Sequence, residues 1–357
     1  MTGLERTRAA IRGKPVDRIP VFPILLAPAC QLTGVRQGDY NLDPSVMADT
    51  LLRAREMCGF DGIYVSRDNW VDHEALGGEL TFPADDEAFS KVPLLESITG
   101  WRSLSIPDPE SPDPASAKGM KTVLAAARRV MAAAGDSFYV QANIDTGPFS
   151  LAAVLRGTER FLMDLVTADE KELGDLLEFC TEVVIAYGKA MIATGVHGVQ
   201  FGDATASLIS PADFARFVLP WQRRALEALG GKACDLWVHI CGSTGHILPL
   251  MRNLPFQGFE VDAKVDMRHA RRTLGETMAL KGNLDTTFLL QRTPDEVRAA
   301  GRRILDEGQF RTGVILSPGC GVPRMTPLEN LRAMVHASEE HAAGGHGAGG
   351  PAGSIRG

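Results

Sequence analysis

Eight short apolar or β-branched runs recur along this 357-residue chain, each followed by a polar or glycine-rich loop and then a stretch with helical periodicity. The runs are "IPVFPIL" (19–25), "GFDGIYV" (59–65), "SFYVQAN" (137–143), "VHGVQFG" (196–202), "LWVHI" (236–240), "QGFEVD" (257–262), "MALKGN" (278–283) and "TGVILSPG" (312–319). Helix-like stretches lie at 45–57, 119–134, 168–194, 211–230, 243–252, 266–274, 294–307 and 326–341. "SPADF" and "TPDEV" supply start signals, with Ser210 and Thr293 as caps and a proline in the first turn. Repeated strand–helix units in a chain of this length predict the α/β class and, within it, a (β/α)8 TIM barrel rather than an open doubly wound sheet. Residues 1–341 then form one domain, with an insertion around 66–137 that carries the proline-rich "PDPESPDPAS". Residues 342–357 read as a disordered glycine-rich tail, in or beside which His341 and His346 cannot hold a metal geometry.

Charge and apolar patterning narrow the partners. A net charge of −7 and a pI near 5.7 leave no basic face for nucleic acid. The longest apolar run, "IPVFPILLAPAC", contains three prolines and falls well short of the roughly 20 residues that cross a bilayer, so no membrane is expected. The first residues, "MTGLERTRAAIRGKP", carry scattered charges and no apolar signal segment, which predicts a cytoplasmic protein. The six cysteines, at 30, 58, 180, 234, 241 and 320, are widely spaced and suit reduced thiols.

In a (β/α)8 barrel the active site is built at the C-terminal ends of the strands. Polar residues gather there: Asp68 after run two, Asn143 and Asp145 at run three, Asp203 at run four, His239 and Cys241 at run five. Glu260 and Asp262 end run six, Asn283 and Asp285 end run seven, and Cys320 follows run eight in "SPGCGVP". His239 and Cys241 stand two apart on an extended segment, so their side chains point the same way and can share one ion. Taken alone, a His-x-Cys pair is equally two packing residues at a strand end. The barrel mouth changes the balance by bringing Cys320 within reach, and a His, Cys, Cys set leaves one tetrahedral position open, as catalytic zinc sites do. Asp203, Glu260 or Asp262 would orient His239 or fill the fourth position, and Asn143, Asp262, Asn283 and Asp285 would contact substrate. The alternative for each is a polar residue that satisfies a strand end or caps the next helix. His73, His197, His269 and His336 are read as structural.

From "PVDRIPVFP" to "GVPRMTPLENLRAMV" the sequence resembles the uroporphyrinogen decarboxylase superfamily, through "GPFSLAAVLRG", "VQFGDATASLISPADFARFVLP", "HICGSTG", "LKGNLD" and "SPGCGVPRMTPLENL". Within that superfamily, His-x-Cys with a distant Cys is similar to the zinc-dependent, corrinoid-linked methyltransferases. They include methylcobamide:coenzyme M methyltransferases and relatives that demethylate methoxylated compounds. The resemblance implies Zn2+ on His239, Cys241 and Cys320. It also implies a methyl group moved between a cobalamin-type corrinoid and a small-molecule donor or acceptor. The chain has no Asp-x-His-x-x-Gly stretch to hold a corrinoid, so a separate corrinoid carrier protein is the implied partner. The decarboxylases differ in carrying an arginine-rich segment where this chain has "PILLAPACQLTG", a tyrosine at Val154 and a histidine at Cys320. Asp68 falls where they keep an essential aspartate, and Asp203 persists, which by resemblance makes both candidate catalytic groups; Glu260 joins them from its place at a strand end beside His239. Decarboxylation and a non-catalytic corrinoid-protein binding module remain the alternatives.

Overall fold

The runs are mostly apolar and do not alternate strictly, as strands buried on both faces should be. In the computed structural model, which describes residues 1–113, 115–231 and 233–345, seven of them become strands. These are β1 (Gly62–Val65), β2 (Tyr139–Thr146), β3 (Gly198–Gly202), β4 (Asp235–His239), β5 (Gly258–Glu260), β6 (Ala279–Leu284) and β7 (Val314–Pro318). They form a single parallel sheet in sequence order, and nearly every strand residue is buried. The sheet is curled: Lys281 on β6 reaches Gln141 on β2, and Gln141 reaches Glu260 on β5, each across 3.0 Å.

Run one departs from the expected strand. It makes a single parallel bridge, Val21 to Leu316 on β7, and the Val21 carbonyl accepts the Asp61 amide at the start of β1. Pro20 and Pro23 carry no N–H, and the Val21 N–H is already bonded to the Asp61 carboxylate at 2.7 Å, so a ladder cannot extend. The run therefore touches both edges of the sheet without becoming an ordered strand.

Helices cover the outside, with Ser210 and Thr293 capping as expected. The stretch 211–230 divides into Pro211–Phe217 and Leu219–Leu229, because Pro220 cannot donate into the preceding turn. The stretch 243–252 contracts to Leu248–Met251. Two helices not anticipated, Pro148–Arg156 and Thr158–Thr167, follow β2. Between β1 and β2 the chain forms Val71–Ala75, an irregular excursion and the helix Lys118–Ala134. The last helix runs Leu328–Gly345 and extends into the segment expected to be a tail. His341 lies inside that helix, buried, with its Nδ1 2.6 Å from Asp306 and its Nε2 2.8 Å from the Phe310 carbonyl oxygen. His346 and the rest of the expected tail lie outside the described residues. Among the described residues no helix is long and apolar enough to cross a membrane.

Asp61 ties the N-terminal end of the sheet together. Its buried carboxylate accepts from Arg18, from Arg6 and from the Val21 amide. Removing one partner of a buried ion pair leaves the others uncompensated. Asp61→Ala should therefore lower unfolding free energy by about 3–5 kcal/mol in urea denaturation, and a loss below about 1 kcal/mol would show that the junction between run one and β1 does not depend on it.

Candidate metal centre

β4 delivers His239 at its last residue, and the extended backbone continues through Ile240 to Cys241. The turn that follows needs Gly242 at φ 92, where an L side chain would be strained, and Asp262 fixes this turn by accepting the Gly242 amide at 2.8 Å. Cys320 arrives from the other side, just beyond β7. A Cβ on its neighbour Gly319 would stand 2.3 Å from the Ala263 backbone nitrogen, so only glycine lets the loop pass this close.

The three side chains meet. His239 Nε2 is 2.9 Å from Cys241 Sγ, Cys241 Sγ is 3.4 Å from Cys320 Sγ, and one ligand atom from each lies within 4.8 Å of the other two. The sulfur separation is far beyond a disulfide bond of about 2.05 Å. It lies near the roughly 3.5–3.8 Å between atoms sharing a tetrahedral zinc, given Zn–S of about 2.3 Å and Zn–N of about 2.0 Å. The donor set thus fits a zinc ion with one position left over.

Electrostatics prepare the set as ligands. The hydrogen bond from Cys241 holds Cys320 down to about 4, against the opposing effect of burial and with the help of His239. Cys241 is pushed up by the same bond and by burial. Burial disfavours charge on His239, but Cys320 and Glu260 outweigh it and raise its pKa. One thiolate, the form that binds metal, is therefore already favoured.

Behind His239 lies a buried polar layer. Glu260 Oε1 accepts from Lys281 at 2.9 Å and from Gln141 at 3.0 Å, while Oε2 stands 3.7 Å from His239 Nδ1 and has no hydrogen-bond partner. The Glu260 carbonyl oxygen is 3.3 Å from the same Nδ1. Lys281 also lies over the Phe22 ring, 4.4 Å from its centroid.

A cavity of about 380 Å3 opens over the cluster, lined in part by His239, Cys241, Cys320, Asn143, Tyr64 and Asp145. Of the other residues singled out in the sequence, Asp262 holds the Cys241 turn and Glu260 sits behind His239. Asp203 is fully buried behind the wall, accepting the Ser150 amide at 2.7 Å and Gln222 at 2.8 Å. Asp68 is paired with Arg67 at 2.7 Å and accepts the Trp70 amide at 2.8 Å, beside a separate small cleft. Asn283 donates to the carbonyls of Asp262 and Val265, and Asp285 caps the helix Thr286–Gln291. Neither Asn283 nor Asp285 lines the cavity.

Sequence reading gave no role to Tyr64, Gln141, Gln200 or Lys281. Their signal is a polar group inside an otherwise mostly apolar run, in the runs that become β1, β2, β3 and β6. It also assigned none to Asp72 and Asp145, a buried pair in which the Asp145 Oδ2 accepts the Asp72 amide at 2.7 Å. The Asp72 Oδ2 in turn accepts from the Thr146 amide and hydroxyl, each at 3.3 Å, and Oδ1 of both residues has no hydrogen-bond partner. Asp145 sits at φ 63.

The family model described as uroporphyrinogen decarboxylase (URO-D) matches residues 2–341. The chain belongs to that family. It is 29% identical to a methylated-thiol–coenzyme M methyltransferase of Methanosarcina mazei, over 95% of this chain and 90% of that protein. A methylcobamide:CoM methyltransferase of Methanosarcina acetivorans is 28% identical, with 95% and 98% covered. A uroporphyrinogen decarboxylase of Syntrophotalea carbinolica is also 29% identical, with 91% and 94% covered. Among solved structures, a methyltransferase from Methanosarcina mazei superposes with a TM-score of 0.84 at 24% identity, covering 95% of this chain and 99% of that one.

Burial pushes Asp72 up to about 7. A carboxyl whose folded pKa exceeds its unfolded value keeps its proton after the unfolded chain has lost it, so stability falls as pH climbs from about 4 to about 7. Replacing the acid by the uncharged amide in Asp72→Asn should remove that part of the slope, on the order of 1–3 kcal/mol, in denaturation curves taken at pH 5 and pH 8. Parallel curves for parent and variant would refute the assignment.

Proposed function

We propose that this family member is a zinc-dependent methyltransferase that moves a methyl group between a corrinoid carried by a separate protein and a small molecule held in the cavity. The observation that carries the reading is the His239–Cys241–Cys320 cluster, three converging ligands with an open side toward the cavity. Overall identity does not separate methyltransferase from decarboxylase, because relatives of both kinds stand at 29%. The side chains do. Among the described residues lining the cavity there is no lysine or arginine to hold the carboxylates of a tetrapyrrole.

When bound, zinc would supply the Lewis acidity that turns a thiol, with an ordinary pKa near 8.5, into a thiolate at neutral pH, or that polarises a methoxy oxygen. The chain's own residues do the rest. Glu260, held by Lys281 and Gln141, orients His239, and Asp262 holds the Cys241 turn. Asn143 faces the reactant from β2, while Asp68, Asp203, Asn283 and Asp285 act through the loops and helix ends that they fix. The cavity walls position a thiol sulfur and exclude water while its lone pair forms the new S–C bond, and the electrons of the broken bond stay with the corrinoid. Methoxylated donors would use the same site in the opposite direction.

Within this reading the Val21 segment occupies the eighth place of a (β/α)8 barrel, the carrier docks over its mouth, and the protein works in the cytoplasm. The relatives' names support the corrinoid and the thiol, since they act on methylcobamide and coenzyme M.

Metal analysis of the purified protein should find about one zinc per chain, and Cys241→Ser and Cys320→Ser should each lose most of it. The parent should transfer methyl from methylcobalamin to a thiol, and both variants should fall by at least about tenfold. Equal zinc in all three proteins would reject the assignment.

A further inference from the structure

The proposed function leaves open what kind of molecule brings the reacting atom into the cavity. The buried polar groups of the cavity wall are already bonded to the protein. The Tyr64 hydroxyl donates to Gln200 Oε1, Asn143 Nδ2 donates to Ser66 Oγ at 3.2 Å, and Ser150 Oγ accepts the Thr205 amide at 3.0 Å. Asp145 accepts the Asp72 amide through Oδ2, its other oxygen is shielded from the cavity, and the Thr146 hydroxyl is turned to Asp72. Glu87, which also lines the cavity, is exposed.

The side chains left to face a ligand are apolar. Ile24 and Leu26 come from the end of run one, Trp70 precedes the helix Val71–Ala75, and Val154 lies in the last turn of the helix Pro148–Arg156. Leu26, Trp70 and Val154 are half-buried, whereas Ala153 and Leu155 on either side of Val154 are fully buried, so Val154 is the residue of that turn that the cavity uncovers. Apolar surface that stays wet in a concave site is surface on which a ligand can gain by displacing water. Size decides how large that ligand is. An aliphatic cavity of about 150 Å3 is enough to hold benzene, and this one, at about 380 Å3, has room for a six-membered ring beside the reacting atom. A two-carbon thiol would leave most of the apolar wall uncovered.

We propose that the reacting atom enters on an apolar body the size of a benzene ring, seated against Ile24, Leu26, Trp70 and Val154, and that small hydrophilic thiols are poor ligands. The identity of the reacting atom rests on the methyltransferase reading, and the seat rests on the wall alone.

Three thiols with an aliphatic sulfhydryl separate the body from the sulfur: benzyl mercaptan, 2-mercaptoethanol and 2-mercaptoethanesulfonate. With cobalt(II) in place of zinc, sulfur binding is followed by the thiolate-to-metal absorption band, which gives a Kd without turnover. Methoxybenzene, which has the ring and no thiol, is titrated into the same protein by calorimetry. Benzyl mercaptan should bind at least about tenfold more tightly than either small thiol, because only its ring covers the wall. Val154→Thr keeps the shape of the side chain and adds a hydroxyl, and should weaken benzyl mercaptan at least about threefold more than it weakens 2-mercaptoethanol. Leu26→Ala should act in the same direction through lost contact. A small thiol that binds as tightly as benzyl mercaptan, or a ratio unchanged in both variants, overturns the apolar seat and leaves the methyltransferase reading standing. Methoxybenzene bound without a band from any thiol overturns the thiol reading and leaves the seat standing. Failure of both ring compounds to bind overturns the seat.

Discussion

An ammonium group in the middle of a curled sheet must be neutralised where it stands, and Lys281 sets that requirement here. It is 1% exposed and bonded to Glu260 and Gln141, with aromatic faces around it. Burial alone would strip its proton, which is why its pKa falls even with Glu260 beside it. The lysine fixes one oxygen of Glu260. The other oxygen is left 3.7 Å from the imidazole of His239, so the orientation of that ring depends on a charge placed below it. The interior of this sheet is therefore a polar column supporting a site, rather than the apolar filling common in such folds.

Much of this was legible in the sequence because it depends on local spacing. Seven runs became strands, and the rule that sites gather at strand C-termini placed His239, Cys241 and Cys320 at one mouth before any contact was known. Run one failed for a reason written into it, two prolines that remove the donors of a ladder. The divided helix after Ser210 has the same cause at Pro220. Pairings across the interior were not legible. Gln141 and Lys281 lie 140 residues apart, and Asp72 and Asp145 lie 73 apart, so only the curl of the sheet and the fold of the intervening loops bring them together. Strand-end position also overstated Asp285 and Asn283, whose polar atoms go to a helix cap and to backbone carbonyls. A polar residue at a strand end satisfies backbone as readily as it meets substrate.

The family shows how few side chains decide chemistry on a shared scaffold. A decarboxylase and a methyltransferase each stand at 29% identity to this chain, so overall identity alone does not say which reaction occurs. A decarboxylase of a polyanionic substrate must place cations around its cavity. A thiol-activating site must place soft ligands and leave room beside them. Among the described residues this cavity brings a His, Cys, Cys set together and has no lysine or arginine on its wall. Wall and centre can change separately because they hang on different strands: Asp145 on β2, and His239 and Cys320 at the ends of β4 and β7.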